Sequence, residues 1–459
     1  MGMQSPSQHN QRVVTAPLGT GEFYQRFRAL LSPRRLGQKL RASRKRKQRR
    51  DTKLSPFQLI VGTVYHSLQD QGPAQQHIAE ATGVTISGAQ VSKRRQQMGS
   101  EIFEWILQQI CGGRADPQRH PAAFYRGLRL VGIDGSLFSL FNTPAVLKQL
   151  SKACTRRMQA AFAKLGVVAL VELGTHRPMA AVISQDKESE MALATRLVNQ
   201  LPAGSLLLAD RLYGVGKFLV AFLRLFAPGQ SDFLVRVKTG KFHSRCLQRL
   251  ADGSALLELL GTDAVAGGKV QILVREIHGV VIGRNGKRTV LRLWTSLLDE
   301  QTYPGLELLE LYAQRWEQEL SYKELKINLG ATGLLTSYTP TTGRQEIAAL
   351  LIAQAVIADL RLEVGHTGAV PVLRVSFVKV LSHVRSLWNV LAWSGDCLRP
   401  AQRTRLIHGM FDSLLSQLTP PRRARSCPRA IRQPVSSWPR KLKNGGCSHG
   451  AFQYELIPA

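Results

Sequence analysis

The spacing of apolar positions divides the chain into regions of different period. Between residues 55 and 112 the spacing is helical. SPFQLIVGTVYHSL opens on a serine suited to an N-cap, and QHIAEATGVTISGAQVSKRRQQMG continues the pattern. From 126 to 236 the chain changes to short runs rich in Val and Leu: RGLRLVGIDGS, LGVVALVEL, PMAAVIS, SLLLAD and DFLVRVK. Helical stretches at 188–200 and 214–226 separate some of these runs. Strands first in succession and then alternating with helices predict an α/β sheet with both meander and crossover connections. Residues 237–303 again read as strands, with turn signals around Gly267 and Gly286. A helix follows around 312–326, on which Leu309, Trp316, Leu320 and Ile327 recur at the spacing of a buried face. A long apolar helix at 345–363 and a helical region at 375–418 complete the pattern, and no internal repeat is present.

Charge changes the picture more than composition does. The chain has 459 residues, of which 44% are hydrophobic and 20% charged, as in ordinary globular proteins. Yet 62 Lys and Arg face 31 Asp and Glu, a net charge of +31 with an isoelectric point near 10.6. Such an excess calls for a polyanionic partner, nucleic acid before anionic membrane. The best apolar run, 348–360, is too short to span a bilayer and carries Gln354 and Asp359. No convincing basic amphipathic helix argues for a membrane surface either, and the N-terminus has no apolar signal segment. A cytoplasmic location is the expectation. Cys111, Cys154, Cys246, Cys397, Cys427 and Cys447 are scattered, without the pairing of a zinc site.

The basic residues cluster at two places. Residues 33–50 hold ten Lys and Arg and no acid, and residues 420–443 hold eight and no acid, with several prolines. Both read as arms that grip phosphates without reading sequence. Removing these eighteen charges leaves the body near +13. Between the arms, Ala79, Gly83 and Val84 resemble the first helix and turn of a helix-turn-helix, with 91–95 on the helix that follows. An ordinary helical hairpin is the alternative.

Candidate chemistry sits on three acids. Asp134 closes the run LRLVGID and Asp210 closes SLLLAD, so each is expected at the carboxyl end of an apolar strand, where open α/β sheets build their sites. An isolated aspartate there is more often a turn or helix cap. The third acid, Glu319, shares a helical stripe with Tyr312, Arg315 and Lys326. Positions 3, 4 and 7 residues apart fall within roughly 60° of arc at about 100° per residue. Cations suit phosphates, and carboxylates suit divalent metal. Phosphodiester attack needs charge neutralised on the attacking and leaving oxygens, which two ions about 3.5–4 Å apart provide. Three acids with open coordination positions suit Mg²⁺.

The motifs GIDGS with Asp134, SLLLADRLYG with Asp210, and YAQRWEQELSYKELK resemble the DDE transposases of the insertion-sequence-4 family. The resemblance runs from about 55 to about 395. The family signature of Tyr, two residues, Arg, three, Glu, six and Lys is met by Tyr312, Arg315, Glu319 and Lys326 without a gap. DRLYG stands where DRGYY-type sequences are commoner. The resemblance implies an RNase H-like catalytic core with a β-rich insertion, plus N-terminal and C-terminal helical regions. The expected divisions are a basic flexible arm at 1–54, a helical DNA-binding domain at 55–120 and the first part of the core at 121–236. The insertion follows at 237–303, the segment with the catalytic glutamate helix at 304–365, a helical region at 366–418 and a basic tail at 419–459. Asp134, Asp210 and Glu319 are implied as catalytic metal ligands for two Mg²⁺ ions, with Mn²⁺ as a substitute. Tyr312, Arg315 and Lys326 are implied as contacts to transposon-end phosphates. The implied activity is cleavage at terminal inverted repeats and strand transfer into target DNA, by a homodimer in the synaptic complex. A catalytically silent regulator derived from a transposase would show an interrupted acidic set. An RNase H-like nuclease would lack the Tyr–Arg–Glu–Lys stripe.

Overall fold

The computed structural model describes residues 31–43, 53–154, 159–238, 243–263, 266–283, 286, 288–330, 334–394, 397–421, 425–426, 448–449 and 453–456. Five helices precede the first strand: α1 (Pro33–Ser43), α2 (Pro56–Leu68), α3 (Ala74–Thr82), α4 (Gly88–Met98) and α5 (Glu101–Ile110). The cap expected at Ser55 is present as a full capping box, reciprocated by Gln58 and worth about 1 kcal/mol. α3 ends at Gly83, whose φ of 71° is the left-handed cap that lets the chain turn into α4. The two helices and turn expected for the motif are thus formed. Arg95 of α4 is turned inward, however, and bonds Gln345 Oε1, Ser337 Oγ and the Thr342 carbonyl.

The first basic segment differs from the expected arm. Residues 33–43 form α1, with Leu36 buried in the main core beside Leu31, while Arg34, Arg35, Lys39 and Arg41 are exposed. Apolar residues four and five apart within a basic run give it one face to bury. Residues 44–52 and most of the C-terminal basic segment lie outside the described residues.

The sheet begins with a short β1 (Phe124–Tyr125), then β2 (Leu128–Leu140), β3 (Lys152–Cys154), β4 (Gln159–Glu172) and β5 (Arg177–Ile183). A helix α6 (Pro144–Gln149) lies between β2 and β3, and α7 (Glu190–Leu197) follows β5. Then come β6 (Ser205–Gly214), α8 (Gly216–Leu225) and β7 (Asp232–Val237). β2, β4 and β5 form an antiparallel meander, while β6 pairs parallel with β2 and β7 parallel with β6. This is the expected mixed α/β sheet in its RNase H-like order. Side chains alternate between faces: Leu207 and Ala209 pack toward α7 and α8, and Leu206 and Leu208 toward the opposite layer. A strand buried on both sides therefore reads as a continuous apolar run.

The β-rich stretch at 237–303 is present as β8 (Ser244–Arg249), β9 (Ala255–Thr262), β10 (Lys269–Ile282) and β11 (Arg288–Thr295). It is no separate sheet. β11 pairs antiparallel with β7, so the central sheet runs on through β11, β10, β9 and β8. Near the C-terminus, β12 (Arg425–Ser426) pairs with β13 (Ser448–His449), and β14 (Gln453–Leu456) adds to β10.

The second layer holds α9 (Gly305–Tyr312), a 3₁₀ turn at Ala313–Arg315, α10 (Trp316–Lys323) and a π-helical turn at Glu324–Asn328. The long helix α11 (Pro340–Thr367) is followed by α12 (Phe377–Ser394) and α13 (Pro400–Leu415). α11 is the hub, packing against the sheet and against α2 and α5. The expected buried face around 312–326 is corrected. Leu309 is buried, but Trp316 and Ile327 are each 55% exposed. Gln318, Ser321, Tyr322 and Leu325 face the interior instead. The 3₁₀ and π turns shift the helical phase. Gln318 Nε2 donates to the Ala169 carbonyl at 3.5 Å and Gln354 Nε2 to Ser321 Oγ at 2.9 Å, while the buried Gln318 Oε1 has no hydrogen-bond partner among the described residues. No helix among the described residues is long and apolar enough to cross a membrane.

Candidate active site

Parallel pairing of β2 with β6 ends at Ile133 and Ala209. The next residue on each strand is a candidate acid, so Asp134 and Asp210 stand side by side where the ladder stops. Neither closes its strand as expected. β2 continues to Leu140 against β4, and β6 to Gly214. Divergence of the two strands opens the cleft that a strand end would otherwise provide. Gly135 N donates to Asp134 Oδ1 at 2.8 Å, and Leu212 N to Asp210 Oδ1 at 2.7 Å.

The segment bearing Glu319 is tied to both strands. The Tyr322 hydroxyl donates to the Asp134 carbonyl at 2.7 Å, and the Tyr312 hydroxyl to the Ala209 carbonyl at 3.1 Å. Tyr312 is thus buried and committed to the backbone beside Asp210. Lys326 lies on the π-helical turn, donates to the Leu137 carbonyl at 2.9 Å and stacks over Phe138 at 5.0 Å. Arg315 Nη2 donates to Glu319 Oε1 at 2.7 Å, a pair one helical turn apart. Behind the segment, buried His176 meets Glu317 Oε2 at 2.7 Å and Glu324 Oε1 at 3.0 Å.

The candidate residues share one neighbourhood without closing on a point. Among the described residues, no group of three or more His, Cys, Asp or Glu side chains is gathered tightly enough to hold a metal ion. The charge balance nonetheless suits one. Burial pushes the Asp134 carboxyl up to about 7, and the charges of Glu190 and Asp210 add to this against the Gly135 N–H and Arg315. Folded Asp134 therefore holds a proton that the unfolded chain releases, and its ionisation costs stability as pH rises toward 7. A divalent cation beside hard oxygen donors would offset that cost. Beside Asp210 lies a cleft lined by Arg211, Arg236, Lys238 and Arg292, a basic wall fit for phosphates.

Sequence reasoning missed Glu190, Tyr213 and Tyr322. A glutamate opening a helix reads as a favourable dipole partner, and the two tyrosines read as core. None carries a periodic signal of its own.

Arg315 offers a direct test of the stripe. Arg315→Lys keeps the charge but loses the fork that can meet a phosphate bidentately. We expect cleavage to fall about tenfold, a loss of about 1.4 kcal/mol, with Mg²⁺ affinity unchanged. Wild-type cleavage in Arg315→Ala would return the stripe to a solvated helix face.

The family described as Transposase DDE domain matches residues 125–354, a span containing Asp134, Asp210 and the whole segment from Tyr312 to Lys326. Transposase InsG for insertion sequence element IS4, from Escherichia coli strain K12, is 26% identical over 370 residues, covering 77% of this chain and 78% of that protein. Putative transposase InsZ of the same strain is 30% identical over 129 residues, 28% of this chain and 43% of that one. A cryo-EM structure of the piggyBac transposase synaptic complex with hairpin DNA aligns over 90% of this chain and 87% of that one. The TM-score is 0.44 and the identity 9%. With the family match spanning half its length and a relative of the same kind along three quarters of it, the chain belongs to the DDE transposases.

Proposed function

We propose that this DNA transposase cuts at the terminal inverted repeats of its own element and joins the freed ends to target DNA by a cut-and-paste route. The observation that carries this reading is the pair Asp134 and Asp210 on adjacent parallel strands, with the Glu319 segment hydrogen-bonded to both. We assign Asp134, Asp210 and Glu319 as ligands for two Mg²⁺ ions, with Mn²⁺ able to substitute. When bound, divalent metal supplies neutralisation of charge on the attacking and leaving oxygens.

The chain's own residues do the positioning. Tyr312 and Tyr322 fix the backbone at Ala209 and Asp134, and so hold the two aspartates relative to the helix. Arg315 is held by Glu319 in the absence of DNA. A phosphate that captures its guanidinium releases the Glu319 carboxylate toward the aspartates, so DNA arrival completes the acidic set. Arg211, Arg236 and Lys238 receive neighbouring phosphates, and Lys326 holds the end of β2 at the mouth of the site. We further propose a homodimer in the synaptic complex and a cytoplasmic location, at the nucleoid.

Strand transfer separates this reading from a nuclease. A pre-cut element end with a free 3′ hydroxyl, incubated with protein, Mg²⁺ and a supercoiled plasmid, should become joined to the plasmid. Cutting without joining would favour the nuclease.

Non-specific binding should depend steeply on salt, with a log–log slope near −0.9 per neutralised phosphate. Because Leu36 of α1 is buried, the test is substitution rather than deletion. Gln at the exposed Arg34, Arg35, Lys39 and Arg41 should reduce the slope by up to about four and weaken all DNA alike. Loss confined to the element's own ends would make α1 a reader of sequence.

A further inference from the structure

One helix of the N-terminal unit turns a polar face outward. α2, α3 and α4 share a small core that includes Leu59, Ile78, Ile86 and Val91, so Val91 marks the inner side of α4. Gln90, Lys93 and Gln97 stand on the outer side and are exposed, within about 60° of arc at about 100° per residue. Residues 81–100 carry Lys93, Arg94 and Arg95 and no acid. Such a face suits the major groove by charge and by chemistry. A glutamine amide can bond adenine through two atoms, and a lysine can bond guanine. Phosphates need cations and no amide, so the glutamines point to base edges.

Arg95 is turned away from that face. Its guanidinium donates to Gln345 Oε1 at 3.1 Å, Ser337 Oγ at 3.3 Å and the Thr342 carbonyl at 2.8 Å. In return the buried Gln345 donates to the carbonyls of Arg95 at 2.7 Å and Gly99 at 2.6 Å, which the end of α4 leaves free. The stretch that receives Arg95 also reaches the strand of Asp134. Leu335 N donates to the Ser139 carbonyl at 2.9 Å, and Ser139 stands on β2 beyond Asp134. Lys326 donates to the Leu137 carbonyl of the same strand. Alongside, Arg344 of α11 pairs with Glu104 of α5 at 2.7 Å. The outward helix is therefore tied to the catalytic strand through two sets of hydrogen bonds. The bland role, an arginine that satisfies nearby carbonyls, accounts for the bonds but not for the acid-free polar face on the same helix.

We propose that α4 reads bases at the element's ends through Gln90, Lys93 and Gln97, and that Arg95 and Gln345 fix the interval between those bases and the phosphate that is cut. The inference rests on the transposase reading above. It makes Arg95 and Gln345 positioning residues, which act without touching DNA.

The test uses the full chain on labelled end DNA. Gln90→Ala and Gln97→Ala remove neutral groups from an exposed face, so the fold and the salt slope should hold. Each should lower the preference for end DNA over unrelated DNA about tenfold. Protection that the wild type gives and these variants lose marks the bases that α4 covers. One base pair inserted between those bases and the cleavage site should move the wild-type break by one base pair, since the protein sets the interval. Arg95→Met should keep the preference but spread the breaks over neighbouring phosphates, which a loss of stability alone does not do. Should Arg95→Met not fold, the insertion decides. Unchanged preference in both glutamine variants would overturn the proposal and leave the transposase reading standing. So would a single sharp break in folded Arg95→Met, or a break that stays at its original junction at full yield after the insertion. Absence of cleavage at the ends by the wild type would instead remove the transposase reading and this inference with it.

Discussion

Asp134→Asn, Asp210→Asn and Glu319→Gln are each expected to reduce strand cleavage by roughly 10³-fold or more, equivalent to about 4 kcal/mol of transition-state stabilisation. Each replaces a charged oxygen donor by a neutral isostere, so packing and hydrogen bonding survive while the attraction for a divalent ion falls. DNA binding should persist, because the basic wall beside Asp210 and the exposed face of α1 are untouched. Asp134→Asn has a second signature: the neutral amide removes the cost of an ionised buried carboxyl, so the metal-free protein should melt higher than wild type. Cleavage on labelled end DNA, filter binding and melting curves give the three readouts. Substantial Mg²⁺-dependent cleavage by any one variant would take that residue out of the metal site.

His176→Ala should be among the most damaging changes away from the acids. His176 is 1% exposed, adopts a positive φ of 59°, and contacts Glu317 and Glu324, which bracket Glu319 in sequence. Arg361 faces the same Glu324 at 3.1 Å. Burial lowers the imidazole pKa, but the Glu324 charge and the hydrogen bonds to both glutamates outweigh it and leave the value raised above 6.5. A raised folded pKa fixes the sign. The stabilisation is fully present below about pH 6.5 and is lost as pH rises through the raised value. Removing the ring takes one partner from each of Glu317 and Glu324, with Arg361 still facing Glu324, at a cost of about 2 kcal/mol. Denaturant melts from pH 6 to 9 should show the wild type losing stability with rising pH and the variant lacking that slope. The same variant should cleave poorly at unchanged DNA affinity, since the loosened segment carries Glu319. Wild-type melting across the range would show the clamp to be idle.

The sequence made some of this legible and hid the rest for identifiable reasons. SLLLAD and DFLVRV read as strands because burial on both faces leaves an unbroken apolar run, and both are strands. Asp134 and Asp210 were recognisable because each follows such a run, although the strands continue past them. The buried face of the 312–326 segment is not the one its apolar spacing predicts. Periodicity assumes one helical pitch, and the 3₁₀ turn at Ala313–Arg315 and the π turn at Glu324–Asn328 break it. Gln318 and Ser321 further disguised the buried side, since a buried polar residue looks exposed until its partner is known. Glu190 and His176 act through contacts with residues far along the chain, and no local spacing encodes those. The continuity of 237–303 with the main sheet depends on β11 meeting β7, a pairing of segments more than fifty residues apart.

One reaction decides whether this chain cuts DNA at its own element's ends by metal-dependent chemistry on Asp134, Asp210 and Glu319. Purified protein is mixed with DNA carrying the ends that flank its gene, with Mg²⁺ or with EDTA, beside the Asp210→Asn variant. Breaks at the element's ends are expected with Mg²⁺, none with EDTA and none with the variant. Equal cleavage by Asp210→Asn, or cleavage that persists in EDTA, would contradict that chemistry.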